Sequence, residues 1–520
     1  MTTLPSNSNF SPKDESISPV QQGNNSFQYY LTSIGEYGIV KEVKHPLATV
    51  EGIPGVKLRE IVFFENGEAG EVFSIDREKV RVMTFSREPV KLEWKVSRTG
   101  IFISVPVGEE LLGQVIDPLG RPISHPEQFV SPAQRRDLYM NIDGIATRRN
   151  IQRPFITGMT VIDMMIPLGR GQKELIIGDR KTGKSSFLLT TIKKQIEEGT
   201  IIIYAAIARK KNDIKRLQEY FQQEKISDKV IIVATTAHDS PSLIYRTPYS
   251  AMTIAEYFRE QGKDTLVVLD DLSAHAKFYR EIALLSGRFP GRDSYPGDIF
   301  YVHARLLERC GNFFHPTKGE VSITALPVVE IVEGDLTGYV QTNIMGMTDG
   351  HIFFDSNAFY RGRRPAVDLF LSVTRVGKQT ISPLRREINR ELSSFLANYE
   401  KMQNYSQFGA ELSAKVKNIL KLGQKLYVFF NQHYNTIVPE DIQTVLFGML
   451  WSHIFDELPD RAINDARDSL IAQCNADANL AQTIKGIGTV ENLYALLISI
   501  TKNKEQLLQL CSIKNESEKK

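Results

Sequence analysis

Eight consecutive residues of this 520-residue chain have the types and spacing to hold phosphate. Gly178, Asp179, Arg180, Lys181, Thr182, Gly183, Lys184 and Ser185 fit G-x-x-x-x-G-K-[ST], between a strand-like apolar run and a helix-like one. Glycines at both ends let the backbone wrap so that successive N–H groups face phosphate oxygens, and the start of the following helix adds partial positive charge. In that geometry Lys184 reaches the β- and γ-phosphates and the Ser185 hydroxyl holds Mg²⁺. The expected ligands are ATP or ADP with Mg²⁺; a chance glycine-rich turn is the bland alternative.

Farther along, Thr265-Leu-Val-Val-Leu-Asp-Asp271 ends an apolar strand in two carboxylates. A carboxylate there stabilises the magnesium shell in phosphate-loop proteins, which assigns Asp270 to the metal beside Ser185. Asp271 reads better as a helix cap or turn residue. Hydrolysis also needs a group to orient or polarise the attacking water. In ring ATPases of this architecture a Glu supplies it just after the strand that follows the phosphate-loop helix. Here the strand Ile201-Ile-Ile-Tyr-Ala-Ala-Ile-Ala208 runs into Arg209-Lys-Lys211, and a cation cannot serve as base. A site that binds nucleotide without turning it over is expected, although a solvated basic turn accounts for the same residues.

The elements that must position these groups follow from the periodicity. Between Lys173 and Leu272 short Val/Ile/Leu runs alternate with helical stretches, the mark of a parallel sheet wrapped by helices. Before it, Gly38–Val43, Glu60–Phe64, Gly70–Ile75 and Lys79–Phe85 are Val/Ile/Phe-rich runs separated by turn material, which reads as a small closed barrel. From Ser382 onward apolar residues fall at helical spacing, for example Ile388, Leu392 and Leu396. The expected fold is multidomain: a polar, disordered tail over 1–27, a β-barrel over 28–100, an α/β phosphate-loop (RecA-like) nucleotide-binding domain over 101–380, and a helical bundle over 381–520.

Composition narrows the class. With 63 Lys+Arg against 61 Asp+Glu the chain has a formal charge of +2, which excludes the global basic field of a nucleic-acid coat. Its 3 cysteines, Cys310, Cys474 and Cys511, form no CxxC or Cys/His spacing, so a disulfide scaffold and a structural zinc are not expected and the usage suits a reducing cytosol. No stretch approaches the roughly 18–20 apolar residues needed to span a bilayer, and Met1–Phe27 lacks the pattern of a secretory signal.

With these motifs in place, the chain resembles the alpha subunits of rotary F-type ATPases, from about Gly35 to about Gln443. Leu111-Leu-Gly-Gln-Val-Ile-Asp-Pro-Leu-Gly-Arg-Pro-Ile123, Thr157-Gly-Met-Thr-Val-Ile-Asp163 and Pro167-Leu-Gly-Arg-Gly-Gln172 precede the phosphate loop in the family's order. Pro290-Gly-Arg-Asp-Ser-Tyr-Pro-Gly-Asp298 and Arg305-Leu-Leu-Glu-Arg309 follow it. The resemblance implies a noncatalytic nucleotide-binding subunit in a ring of three alpha and three beta subunits around a central gamma-type shaft. It would be cytoplasmic, peripheral at the inner face of the cell membrane, touching the membrane only through partner subunits. In Ser372-Val-Thr-Arg-Val-Gly377, Arg375 falls on the family's arginine finger for the neighbouring catalytic beta subunit and Ser372 on the same motif; without that context Arg375 reads as a surface salt bridge. Arg364, Pro365 and the segment Asn431-Gln-His433 fall where the family shapes its adenine pocket. His433 either contacts the base or is a solvent-facing helix-end residue.

Departures from the family pattern are Lys181 where Gln is usual, Ala208 and Arg209 where Gly and Gln are usual, and Gly346 where Ser is usual. The stalk-docking amphipathic helix has no counterpart in Met1–Phe27. Gly346 and that tail point to a variant, ATP-driven motor. A self-sufficient homohexameric export-type ATPase is the alternative, disfavoured by Arg209. An RNA-translocating hexamer would need exposed aromatic platforms, whereas Phe63, Phe64, Phe73 and Phe85 lie in strand patterns that core packing explains.

Overall fold

A computed structural model describes residues 25–77, 79–124, 126–406 and 413–511. The tail expected over 1–27 lies outside the described residues as far as residue 24. From there it is corrected: a helix α1 (Asn25–Ile34) begins inside it. Phe27 and Tyr30, one turn apart, are both buried, and Tyr30 stacks on Phe63 with ring centroids 5.8 Å apart. A segment polar on average is thus held by one apolar stripe at helical spacing.

Six strands follow: β1 (Tyr37–Lys44), β2 (Leu47–Glu51), β3 (Glu60–Phe64), β4 (Ala69–Asp76), β5 (Lys79–Thr84) and β6 (Lys95–Phe102). They close into a barrel in the order β1-β2-β5-β4-β3-β6. Val40, Val50, Val62, Phe64, Val72, Val82 and Val96 fill its interior. β2 and β6 escaped the sequence reading because polar residues interrupt them. Phe63, Phe64 and Phe85 are buried in cores and Phe73 lies under the Arg288 guanidinium at 4.8 Å, so none is a free stacking platform. The barrel is joined to the central domain by a fully buried pair, Glu71 with Arg246, and by Ser240 and Ser242 hydroxyls donating to the Thr84 carbonyl.

Among the described residues the central sheet has ten strands. Those that matter for the site are β7 (Val115–Ile116), β8 (Glu174–Asp179), β9 (Ile201–Arg209), β10 (Val230–Thr236), β11 (Thr265–Asp270), β12 (Gly319–Ile331), β13 (Gly350–Phe354) and β14 (Val367–Thr374), in the order β14-β13-β8-β12-β11-β9-β10-β7. Neighbours from β13 to β7 are parallel; β14 returns antiparallel on β13. β9 and β11 are buried over nearly their whole length, which is why they read as continuous aliphatic runs rather than alternating ones. Helices Lys184–Glu197, Lys211–Gln223, Pro241–Glu260 and Leu272–Leu285 cover the faces. After Thr374 the described elements are all helical, and Ile388, Leu392, Leu426 and Leu446 join the same buried cluster as Phe187 and Ile202.

Candidate nucleotide site

The phosphate loop leaves the C-terminal end of β8 and enters the helix Lys184–Glu197. A Cβ on Gly178 would lie 2.4 Å from the Phe354 carbonyl oxygen, so only glycine lets the strand pass its β13 neighbour there. Gly183 caps the helix at φ +99°, a left-handed conformation that leaves the first-turn N–H groups without a side-chain cap. Lys184 is buried and donates to the carbonyls of Gly178 at 2.8 Å and Asp179 at 2.6 Å; burial lowers its pKa. Thr182 donates to the Asp179 carbonyl at 2.8 Å, and the Asp179 carboxylate accepts from Ser356 at 2.7 Å and from the Gly334 N–H at 3.2 Å. Lys181 and Ser185 are exposed. Arg180 reaches sideways to Glu330 at 2.8 Å.

Asp270, at the end of β11, faces the loop. Ser185, Asp270, Tyr204 and Arg209 line one cavity of about 250 Å³. The Tyr204 hydroxyl donates to one Asp270 oxygen at 2.7 Å and the Arg209 guanidinium contacts the other. Arg209 also lies 3.4 Å from Asp271 and 3.5 Å from Glu330. A bulge aims it there: the β9–β10 register breaks between Ala206 and Arg209, and Ala208 takes φ +53°. That left-handed conformation costs an L-residue about 1–2 kcal/mol, which the ion pairs of Arg209 help offset. Burial opposes charge on Arg209, but Asp270 and Asp271 outweigh it and raise its pKa. Asp271 caps the helix Leu272–Leu285 by accepting from the Ala274 N–H at 2.6 Å, and burial, opposed by Arg209, pushes its carboxyl up to about 6. Burial works against the charge of Glu330 too, yet Arg180 and Arg209 hold it below the usual range.

The loop's donors fit a nucleotide's phosphates. Ser185 and Asp270 share a cavity, as a common metal site requires, and each Asp270 oxygen accepts one hydrogen bond, one of them from Arg209, so Mg²⁺ would share this carboxylate with a fixed cation.

Arg364, Pro365 and Asn431 come together in a second cavity of about 290 Å³, also lined by Arg363, Tyr399 and Tyr427. Asn431 accepts from the Arg364 N–H at 2.9 Å, and the Arg364 guanidinium lies 3.6 Å over the Phe359 ring. His433 does not line this cavity; it is exposed, with its ring 4.6 Å from that of Tyr434. The Tyr434 carbonyl accepts from Thr190, which ties the segment to the phosphate-loop helix.

Arg375 and Ser372 lie elsewhere. β8 pairs Glu174 with Gly350 and Gly178 with Phe354, while β14 pairs Thr374 with Gly350. Arg375 therefore follows the sheet end opposite the phosphate loop, four residues away along the strand, roughly 13 Å at a rise of ~3.3 Å per residue. Its side chain is exposed and makes no hydrogen bond or ion pair among the described residues. The Ser372 hydroxyl accepts from the Phe353 N–H at 2.9 Å and donates to the Asp368 carbonyl, bridging the irregular register of β13 with β14.

Sequence reasoning gave no role to Tyr204 or Glu330, and it carried Gln432 only as the middle of the segment Asn431-Gln-His433. Gln432 is buried, accepts from the Thr160 N–H at 3.0 Å and donates to the Gly158 carbonyl at 2.7 Å, anchoring the segment that carries Asn431. Signals existed for the other two: a lone tyrosine in an aliphatic strand, and an acid near the end of the apolar run Thr324–Val329.

Residues 158–374 match the nucleotide-binding domain of the ATP synthase alpha/beta family, and residues 382–502 match the C-terminal domain of the ATP synthase alpha/beta chain. Known proteins similar to the chain include ATP synthase subunit alpha 2 of Nitrosospira multiformis, 36% identical over 84% of this chain and 85% of that protein. ATP synthase subunit alpha of Staphylococcus aureus is 37% identical over 84% and 87%.

Proposed function

Given that the chain belongs to the ATP synthase alpha subunit family, we propose that it is the noncatalytic nucleotide-binding subunit of a rotary ATPase ring. In this reading it alternates with a beta-type catalytic partner around a gamma-type shaft, and Arg375 reaches the partner's bound nucleotide. The observation that carries the proposal is the opposition of Arg375 and the phosphate loop at two ends of one sheet. An exposed arginine whose backbone is offset by about 13 Å along the strand from its own loop is poorly placed for its own nucleotide and open to a neighbour's. A guanidinium supplied in trans neutralises charge that develops during phosphoryl transfer.

Arg209 supports the noncatalytic half of the reading. It stands where a hydrolytic site needs a base, and its own three acidic neighbours keep it charged. That also weighs against a self-sufficient export-type ATPase, which needs base and finger on one chain. Gly346, standing where the family usually has Ser, is the basis for reading the complex as an ATP-driven variant; a Cβ there would meet nothing within 4 Å, so packing does not account for the glycine.

The test is ATP hydrolysis by the chain alone and in a reconstituted ring. The isolated chain is expected to be inactive and the ring active. Robust turnover without a partner would overturn the reading.

A further inference from the structure

Asp270 is the carboxylate that faces the phosphate loop, and the fold has already given it a cation. Arg209 contacts one of its oxygens while Tyr204 donates to the other at 2.7 Å. The same guanidinium lies 3.4 Å from Asp271 and 3.5 Å from Glu330, so one fixed positive charge serves three acids. Magnesium demands near-octahedral oxygen ligands at roughly 2.0–2.1 Å and gives up its water reluctantly. Each Asp270 oxygen already accepts one hydrogen bond, one of them from a guanidinium, so magnesium would have to share this carboxylate with a fixed cation that repels it. Expelling Arg209 instead would strip Asp270 and Asp271 of their guanidinium and leave Glu330 to Arg180 alone.

A second observation points to what Arg209 meets in place of a metal. Its Nε is buried and has no hydrogen-bond partner among the described residues, although the side chain lines the cavity of Ser185 and Asp270. A buried donor left unpaired is costly until something accepts from it. Beside a phosphate loop the fitting acceptor is a phosphate oxygen, which the arginine fork matches. Lys184 is the loop's own cation, its ammonium resting on the carbonyls of Gly178 and Asp179.

We propose that Arg209 takes the place of magnesium in this site: the chain binds a nucleoside di- or triphosphate as the metal-free anion, with Arg209 and Lys184 supplying the positive charge. This rests on the nucleotide-binding reading above and deepens it. The arginine is built in and keeps its proton at any working pH, so the site's charge balance does not follow the free metal concentration.

The test is calorimetric titration of the full-length chain with ADP, first in excess Mg²⁺ and then in EDTA. The dissociation constant is expected to weaken by less than about threefold in EDTA, or to tighten, while in Arg209→Gln the same change weakens binding at least tenfold more than in the wild type. Arg209→Lys, a point charge without the fork, should fall between them and serves if the Gln variant does not fold, which thermal melting will show. Mn²⁺ used as a spectroscopic probe should remain unbound by the wild-type ADP complex and become protein-bound in Arg209→Gln. Binding that collapses in EDTA overturns this inference and leaves the nucleotide-binding reading standing. Equal metal responses in the wild type and both variants also overturn it. Absence of ADP binding in both conditions sinks the underlying reading and this inference with it.

Discussion

One sheet carries an arginine at each end, and the fold treats the two in opposite ways. At the phosphate-loop end Arg209 is drawn inward by a bulge and contacts acids on β11 and β12. At the other end Arg375 follows β14 into solvent with no acid paired to it among the described residues. The same side chain is internal counter-charge in one place and an unspent donor in the other. A guanidinium with its partners supplied is finished structure, whereas an exposed one beside an edge strand is open to a partner, which is what the reading of Arg375 as a donor in trans requires.

The largest effect that separates the two ends is in the assembled ring. Arg375→Ala should lower steady-state ATP hydrolysis by about 10³-fold or more, the range for arginines acting in trans, while ADP binding and melting of the chain itself stay unchanged. If the variant instead loses its own nucleotide, the two ends are not separate. Next in size is Lys184→Gln, which removes the loop's buried ammonium. Charged hydrogen bonds of about 1.5–3 kcal/mol correspond to a loss of roughly 10- to 150-fold in nucleotide affinity, measured on the chain alone.

A smaller effect sharpens the electrostatic side. Burial raises the Asp271 carboxyl to about 6, so it gains its negative charge beside the loop as pH rises through that value. Nucleotide affinity should fall by about threefold between pH 5 and pH 7, as expected for one added charge at several ångströms in partly wet surroundings, and Asp271→Asn should flatten the profile. The sign for folding agrees: a pKa above the unfolded-state value contributes stability at low pH that is lost as pH rises through 6. The smallest effect belongs to the Arg375 end. Gly346→Ser has open space for its side chain in the helix Tyr339–Met347 and should change stability by no more than about 0.5 kcal/mol, read by melting, leaving any change in ring turnover attributable to the added hydroxyl.

Much of this was legible in one dimension. The phosphate loop is a contiguous segment whose neighbours along the chain are also its structural context, and the barrel and helical periods are local patterns. Arg209 was readable as a cation where a base is needed. Its contacts were not, because they depend on Ala208 turning left-handed at a bulge and on Glu330, far along the chain, arriving beside Gly178 through the β8–β12 register. Gln432 shows the same limit: a polar residue at a helix end looks solvent-facing until tertiary packing closes over it. The tail reading to Phe27 failed at its edge because averaging polar composition hid two aromatics one turn apart.

The sequence by itself determined that the chain has a phosphate loop, that a carboxylate ends the strand opposite it, and that no base follows the next strand. Only the tertiary structure decided that Arg209 neutralises that carboxylate and that Arg375 stands at the far end of the sheet from the loop. The physical reason is that motif chemistry is carried by residues adjacent in the chain, whereas strand order, register and bulges arise from long-range pairing, and those set which charges meet and which remain free.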